Sequence, residues 1–542
     1  MGPVVIIPAV KKNVAFPDDL VKKLAGRTLI LRVIDNAINA FGADLVRVVT
    51  DSEEITLLCH RQGIKAIYDR NLRIDPDGVL ESLKPHLLPL LDEATDLLVL
   101  SPYVPMINAD ELRRAYSHYC DSGADLLRPV VAAKARPFEV GALAMRDILH
   151  DGGEREELRE SRAFTIFRGD LLRAEGGRKV SPVPYRITDR LVEIRSYEDW
   201  WICEKLLSRK RIVFRIVGSR QVGMGHIFRS LTLAHEISDH EVRFVCDRDS
   251  ETAAAKLAGY DYWLGVYDSD KMAESILALK PDLVINDILD TEEGYVRRLQ
   301  EAGVRVANFE DLGSGATVAD LTINDLYDEP LLPGPNILWG RPWFFVRDEF
   351  ATARPHRFER NVSAVMVAFG GTDPSDLTRT VLSAIGPFCA ERGIEIVVVT
   401  GDGYPHIAEL EAMIAGMESP RVTYTHATGV ISHLMEKTQI AVCSNGRTVY
   451  EFAHMNIPAI VFSHHEREKT HRFACEENGF IPLGIYRGRK SAEQLLDALH
   501  RLVDDRDWRH QLHARLRKTD FASNKRKVID RILALLPAGT TQ

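Results

Sequence analysis

Short apolar runs recur along this chain, each separated from the next by a segment whose apolar residues fall at helical spacing. A run without polar alternation is a strand covered on both faces, and helix-length connections make neighbouring strands parallel. The chain is therefore read as α/β throughout. The first series holds Val4 to Ile7, Leu45 to Val49, Ala66 to Tyr68 and Leu97 to Leu100, with a helix at Thr28 to Phe41. It predicts an α/β sandwich around a parallel sheet. A charged helix, Tyr197 to Lys210, ends in basic residues suited to a helix C-terminus and closes this series. The rhythm restarts with Arg211 to Val217, Val242 to Val245, Leu283 to Asn286 and Val304 to Phe309. A Pro-rich stretch from Tyr327 to Pro355 interrupts it, and a third series follows at Ala364 to Phe369, Ile394 to Thr400, Ile440 to Ser444 and Ala459 to Phe462. Long helical patterns come after Ser491. A chain of 542 residues exceeds one core. Three segments are predicted, at 1–209, 210–345 and 346–542.

Glycine-bearing turns follow strands at three places. Gly223-Met224-Gly225-His226-Ile227-Phe228-Arg229 comes after Arg211 to Val217. Its glycines let backbone approach a ligand closely, and a helix beginning near His226 points its positive end at that ligand. That end favours the neutral imidazole a general base needs, with Arg229 one turn on; the alternative is a histidine that only caps or packs. Phe369-Gly370-Gly371-Thr372-Asp373-Pro374 repeats the strand-to-helix turn and offers free N–H groups to a diphosphate. Ser444-Asn445-Gly446-Arg447-Thr448-Val449-Tyr450-Glu451 adds a cation and a hydroxyl for phosphate oxygens. Glu451, one turn into that helix, suits a pair of ribose hydroxyls or simply complements the helix dipole. Two α/β segments with such turns indicate a cleft enzyme with its ligand at the carboxyl ends of the strands.

The formal charge of −9 is spread without a basic block, which excludes the electrostatic footprint of a nucleic-acid binder. Seven cysteines lie far apart with no Cys-x-x-Cys pair, so reduced buried thiols are expected rather than disulfides or zinc. No run approaches the length of a membrane span and the start lacks a charged leader, so a cytoplasmic location is expected. The run Ser463-His464-His465-Glu466-Arg467-Glu468-Lys469-Thr470-His471 is read as polar cleft lining and not as a metal site.

With Phe309-Glu310-Asp311-Leu312 added to the three turns, residues 211 to about 487 resemble the UDP-sugar hydrolase of pseudaminic acid biosynthesis and the spore-coat polysaccharide proteins. Those are two-Rossmann-lobe (GT-B) relatives of the N-acetylglucosaminyltransferase of peptidoglycan synthesis. The resemblance implies that His226 activates a water at the sugar C1. It places UDP on the last segment, with Glu451 on the ribose and Gly371, Thr372, Asn445, Gly446, Arg447 and Thr448 around the diphosphate. Gly223, Gly225, Arg229, His465 and Glu466 would complete the nucleotide-sugar site, with no cofactor. Where the hydrolases carry Asp-His-Tyr this chain has Asn286-Asp287-Ile288, and His465-Glu466 replaces their Asn-Gln pair. Hydrolysis of a UDP-sugar is thus the expected reaction, transfer to a glycan or small acceptor is the nearest alternative, and a non-catalytic nucleotide-binding scaffold is a third. A homo-oligomer is possible.

Residues 4–30, and the chain to about Leu207, resemble the CMP-sialic acid synthetase family of cytidylyltransferases. Their CTP loop reads here Ala9-Val10-Lys11-Lys12-Asn13, with Asp19 where a lysine is expected; Ser101-Pro102-Tyr103-Val104-Pro105 and Glu193-Ile194-Arg195 replace two further motifs. Arg195 puts positive charge where Mg²⁺ needs an oxygen. A degenerate nucleotidyltransferase-like sandwich is expected, with Mg²⁺ and CMP-sugar synthesis relevant only if it is active.

Overall fold

The structure, a computed structural model, describes residues 2–11, 18–75, 78–90, 96–133, 157–173, 180–188, 191–218, 225–519 and 521–536. The chain divides into two compact units, one formed by residues 1–209 and one beginning at Lys210.

The sheet of the first unit runs, in spatial order, Val183–Arg186, Leu126–Ala133, Phe164–Arg168, Asp96–Leu100, Val4–Ala9, Val46–Thr50 and Lys65–Tyr68, with Glu157–Glu160 on the flank of Leu126–Ala133. Val4–Ala9 is parallel to both its neighbours. Phe164–Arg168, however, is antiparallel to Asp96–Leu100 and to Leu126–Ala133, which also pairs antiparallel with Glu157–Glu160. The sheet is therefore mixed, not parallel as the spacing predicts. Glu157-Leu158-Arg159-Glu160 contains no apolar run that would announce a strand. Helices Leu29–Phe41 and Ala109–Ser122 bury their apolar faces on one side of the sheet, and Val79–Leu87 covers the other.

The second unit holds two parallel sheets. The first, spatially Trp263–Tyr267, Glu241–Asp247, Arg211–Ile216, Leu283–Asp287, Arg305–Phe309, Leu321–Asn324 and Ile337–Trp339, starts in the middle, winds outward to one edge, then returns to build the other. The second repeats the order with Val422–His426, Glu395–Thr400, Ala364–Ala368, Ile440–Ser444, Ala459–Ser463 and Phe480–Ile485. This is the doubly wound Rossmann order, whose reversal leaves a crevice at the carboxyl ends of the two central strands. Two such lobes make the GT-B arrangement. The final helix, Asn524–Leu533, departs from the segment boundary read from the sequence. Val528, Ile529 and Ile532 are buried in the core of the first lobe beside Ile227 and Leu231, with Phe214 and Phe244.

Among the described residues no helix is long and apolar enough to cross a membrane. All seven cysteines are free thiols; five are buried, whereas Cys120 is exposed and Cys475 half-buried.

Candidate active site

The reversal of strand order in the first lobe lies between Arg211–Ile216 and Leu283–Asp287. The loop after the first of these leads into helix Gly225–Glu236, whose second residue is His226, and the second ends on Asp287. The two side chains meet: His226 Nδ1 lies 2.5 Å from Asp287 Oδ1, both buried. A carboxylate only accepts, so Nδ1 carries a proton, and the neutral form of the ring has its lone pair on Nε2. Nε2 has no partner among the described residues, and His226 lines a cleft of about 360 Å³.

Asp287 is held in turn by Arg229. The guanidinium donates through Nε to Asp287 Oδ2 at 2.9 Å and through Nη2 to Oδ1 at 2.5 Å. Its Nη1 reaches Glu310 Oε1 at 2.6 Å and Asp325 Oδ1 at 3.1 Å. Asp287, Glu310 and Asp325 stand at the carboxyl ends of three successive strands. Arg229 is fully buried and stacks 4.7 Å from the Phe309 ring centroid. Burial alone would discharge these groups; instead the mutual charges dominate. The guanidinium is held protonated well above its ordinary value against desolvation. Burial also opposes the Asp287 charge, but Arg229 and His226 keep that carboxyl well below the usual range. Glu310, likewise opposed by burial, is lowered to about 2 by Arg229, His226 and Arg447. Arg229 thus organises the charge cluster and is not among the residues lining the cleft, contrary to its expected place in the ligand site.

The opposite wall comes from the second lobe. Gly370, with φ +82°, and Gly371 come after Ala364–Ala368, and Asn445 and Gly446 follow Ser444, the last residue of Ile440–Ser444, again on either side of a strand-order reversal. Gly371, Thr372, Gly446, Arg447, Thr448 and Glu451 all line the same cleft as His226. A Cβ on Gly225 would come within 3.3 Å of Arg447 Cδ, so the two lobes approach closely here. Gly401 lies against Gly371; a Cβ there would fall 2.5 Å from its Cα. Glu451 Oε1 accepts from Arg347 Nε at 2.9 Å. Arg447 donates to Asp325 Oδ2 at 2.8 Å and to the Phe345 carbonyl at 3.0 Å, so its charge is shared with the first lobe.

Several expected ligand residues are placed otherwise. Asn445 turns its Nδ2 to the carbonyls of Glu468 and His471, at 2.8 and 3.2 Å, and fixes the loop between them. That amide is spent on the backbone and does not reach the cleft. Glu466 is exposed and pairs with Lys469 at 2.8 Å, away from the cleft wall, because it lies on the outer side of its loop. His465 does line the cleft, although its side chain is 59% exposed. Gly223 lies outside the described residues. Among the described residues no group of three His, Cys, Asp or Glu is arranged to hold a metal ion; His464 and His471 approach the carbonyls of Phe369 and Asn445 instead.

Sequence reasoning missed Asp287, Glu310 and Asp325 as a set. The signal available was their position, each a carboxylate directly at the end of an apolar strand. Arg467, in the run read as cleft lining, does line the cleft, but its role across the lobes was missed: it donates to Tyr327 Oη at 2.8 Å, Asp290 Oδ2 at 2.9 Å and the Glu310 carbonyl at 2.7 Å.

In the first unit Lys11 is engaged by carboxylates, its Nζ lying 2.8 Å from Glu54 and 3.0 Å from Asp18. The Glu54 and Asp18 contacts raise its pKa. Asp19 is buried, and Arg195 pairs with Glu193. Lys12 and Asn13 lie outside the described residues.

No family model matches the chain. An uncharacterized protein of Methanocaldococcus jannaschii is 25% identical over 293 residues, which are 49% of this chain and 60% of that protein. The spore coat polysaccharide biosynthesis protein SpsG of Bacillus subtilis is 22% identical over 283 residues, 49% of this chain and 82% of the relative. The chain thus covers less than two thirds of the archaeal relative's length. Among solved structures, MurG of Acinetobacter baumannii aligns at 13% identity with a TM-score of 0.43, across 60% of this chain and 99% of its own.

Proposed function

We propose that the second unit is a nucleotide-sugar enzyme of glycan biosynthesis that breaks the C1–O bond of a UDP-sugar and releases UDP. The observation carrying this reading is that His226, backed by the buried Asp287, lines one cleft with Gly370, Gly371, Ser444 and Gly446. The turn N–H groups and the start of helix Arg447–His454 suit a diphosphate, and Glu451 suits the ribose hydroxyls. The similarity to a spore coat polysaccharide protein supports the glycan context.

In this reading the Asp287 carboxylate accepts the Nδ1–H hydrogen bond and holds the ring, leaving Nε2 to take a proton from an attacking water. The water oxygen bonds to C1 as the C1–O bond to the diphosphate breaks, and the electron pair leaves with UDP. A free sugar and one proton complete the balance. The Asp287 carboxylate faces the positive charge formed on the ring. With an acceptor hydroxyl in place of water, the same steps yield a glycoside.

The test is UDP release from a panel of UDP-sugars, with and without sugar acceptors. Release without acceptor marks hydrolysis; release only with acceptor marks transfer. In His226→Ala, turnover should fall by about 10² to 10⁴ with UDP affinity unchanged. Undiminished turnover in that variant overturns the assignment of the base.

For the first unit we propose no cytidylyl transfer, because the carboxylates on Lys11 occupy a cation that a triphosphate would need. Pyrophosphate release from CTP, Mg²⁺ and a nonulosonic acid at an enzyme-like rate would overturn this.

A further inference from the structure

The three carboxylates around Arg229 are not equivalent. Asp287 uses both oxygens, on His226, Arg229 and the Ser230 hydroxyl at 3.2 Å. Asp325 uses both as well, one on Arg229 and one on Arg447. Glu310 places Oε1 on Arg229, with Arg447 at 3.8 Å from the same oxygen, and its Oε2 has no partner among the described residues. Asp287 and Asp325 are sealed, whereas the Glu310 side chain keeps 11% exposure and lines the cleft together with His226.

Its backbone is built for this position. Glu310 has φ +51°, a left-handed conformation that costs a residue bearing a Cβ and persists only where the surroundings impose it. The surroundings are on both sides. Asp311 pins the turn by accepting from Thr291 N at 3.0 Å, Gly313 N at 2.8 Å, Thr291 Oγ1 at 2.6 Å and Asn308 Nδ2 at 2.7 Å. Glu310 N donates to the Ile323 carbonyl at 3.0 Å, and Arg467 from the other lobe takes the Glu310 carbonyl. A strained residue locked on both flanks, with one carboxylate oxygen left to the cleft, is the arrangement expected of a group kept for a ligand. Arg467 has its donors on protein oxygens and its charge paired with Asp290 at 2.9 Å, and it meets Glu310 only at the backbone carbonyl.

We propose that Glu310 is a specificity-determining residue: Oε2 accepts a hydrogen bond from a hydroxyl or ammonium group of the glycosyl unit beside His226, and its charge excludes glycosyl units that carry a carboxylate. This rests on the nucleotide-sugar reading above and deepens it. A site that hydrogen-bonds a substrate group discriminates strongly because its own buried polar atom is otherwise left unpaired.

The test compares UDP-hexoses with the matching UDP-hexuronates, in the gluco and galacto series, together with UDP alone. Affinities are measured by calorimetry with His226→Ala present throughout to prevent cleavage of the sugar, in proteins that are wild type, Glu310→Gln or Glu310→Asp at position 310, so the result does not depend on turnover. The expected result is that wild type prefers the neutral sugar by about a hundredfold, and that Glu310→Gln narrows this ratio by about tenfold or more while UDP affinity stays within about threefold. Glu310→Asp keeps the charge and should retain exclusion of the uronate, which a merely structural role would not do. An unchanged ratio in folded Glu310→Gln overturns the inference, as does wild type binding both sugars equally. If UDP binds but neither sugar changes the affinity, Glu310 meets no glycosyl group and the inference falls while the nucleotide site stands. If no nucleotide binds, both readings fall.

Discussion

The two strand-order reversals of the second unit are built from opposite materials. In the first lobe the crevice is packed with ionised side chains: three carboxylates and a buried guanidinium, with one histidine at the open edge. In the second lobe glycines, hydroxyls and helix N-terminal backbone line it, with Arg447 and Glu451 placed singly beside them. The same topology therefore yields a stiff, charged wall on one side and a backbone cradle on the other. A charged wall holds a proton-transfer group to one geometry, and a cradle accommodates an anion supplied from outside.

The difference breaks most severely at Arg229. Arg229→Met leaves Asp287, Glu310 and Asp325 buried without their shared counter-charge, and should cost the second unit about 3 to 5 kcal/mol in denaturant unfolding. The same cluster gives a pH signature. The folded Glu310 carboxyl titrates near 2 against an ordinary 4.5, and Asp287 is also depressed. Their stabilisation is therefore fully present above the ordinary carboxyl range and is lost as pH falls through it toward 2. Melting temperatures should drop steeply across that window in wild type.

Asp287→Asn should lower UDP release by about 10³, because a carboxamide can donate to Nδ1 and then favours the wrong tautomer, while UDP affinity holds. Affinity falling in parallel would show that the wall also binds nucleotide. Gly401→Ala acts on the cradle: its new Cβ would strike the Gly371 backbone, so UDP affinity should fall by about tenfold to a hundredfold, read by calorimetry, with turnover at saturation little changed. Glu451→Gln should weaken UDP by about three- to tenfold, since an amide oxygen still accepts a hydroxyl. Glu466→Ala should change neither quantity beyond about twofold; a larger effect would mean that its loop closes over the ligand.

The strands buried on both faces were legible in the sequence: Arg211–Ile216, Leu283–Asp287, Ala364–Ala368 and Ile440–Ser444 lie within a residue of the expected bounds. Sheet edges were not. Trp263–Tyr267, Val422–His426, Ile337–Trp339 and Phe480–Ile485 are outermost strands: Val422–His426 alternates with polar residues, Ile337–Trp339 is only three residues long, and Gly265, Pro482 and Gly484 interrupt the other two. The site divides similarly. His226 and the glycine turns could be read because local spacing carries them. The Arg229 cluster could not, because its members come from positions 229, 287, 310 and 325 and meet only when the sheet forms. Phe309-Glu310-Asp311-Leu312 was visible as a signature, but its division of labour required the fold: Phe309 lies under Arg229, Glu310 faces the cleft, and Asp311 pins the turn.

Helix Asn524–Leu533 supplies Val528, Ile529 and Ile532 to the core of the first lobe. During synthesis the N-terminal portions of a chain ordinarily finish folding first. Here the first lobe must wait with an incomplete core until some two hundred later residues have left the ribosome, so the lobe that carries His226 is completed last. Any attempt to express that lobe alone has to supply this helix as a separate or grafted segment.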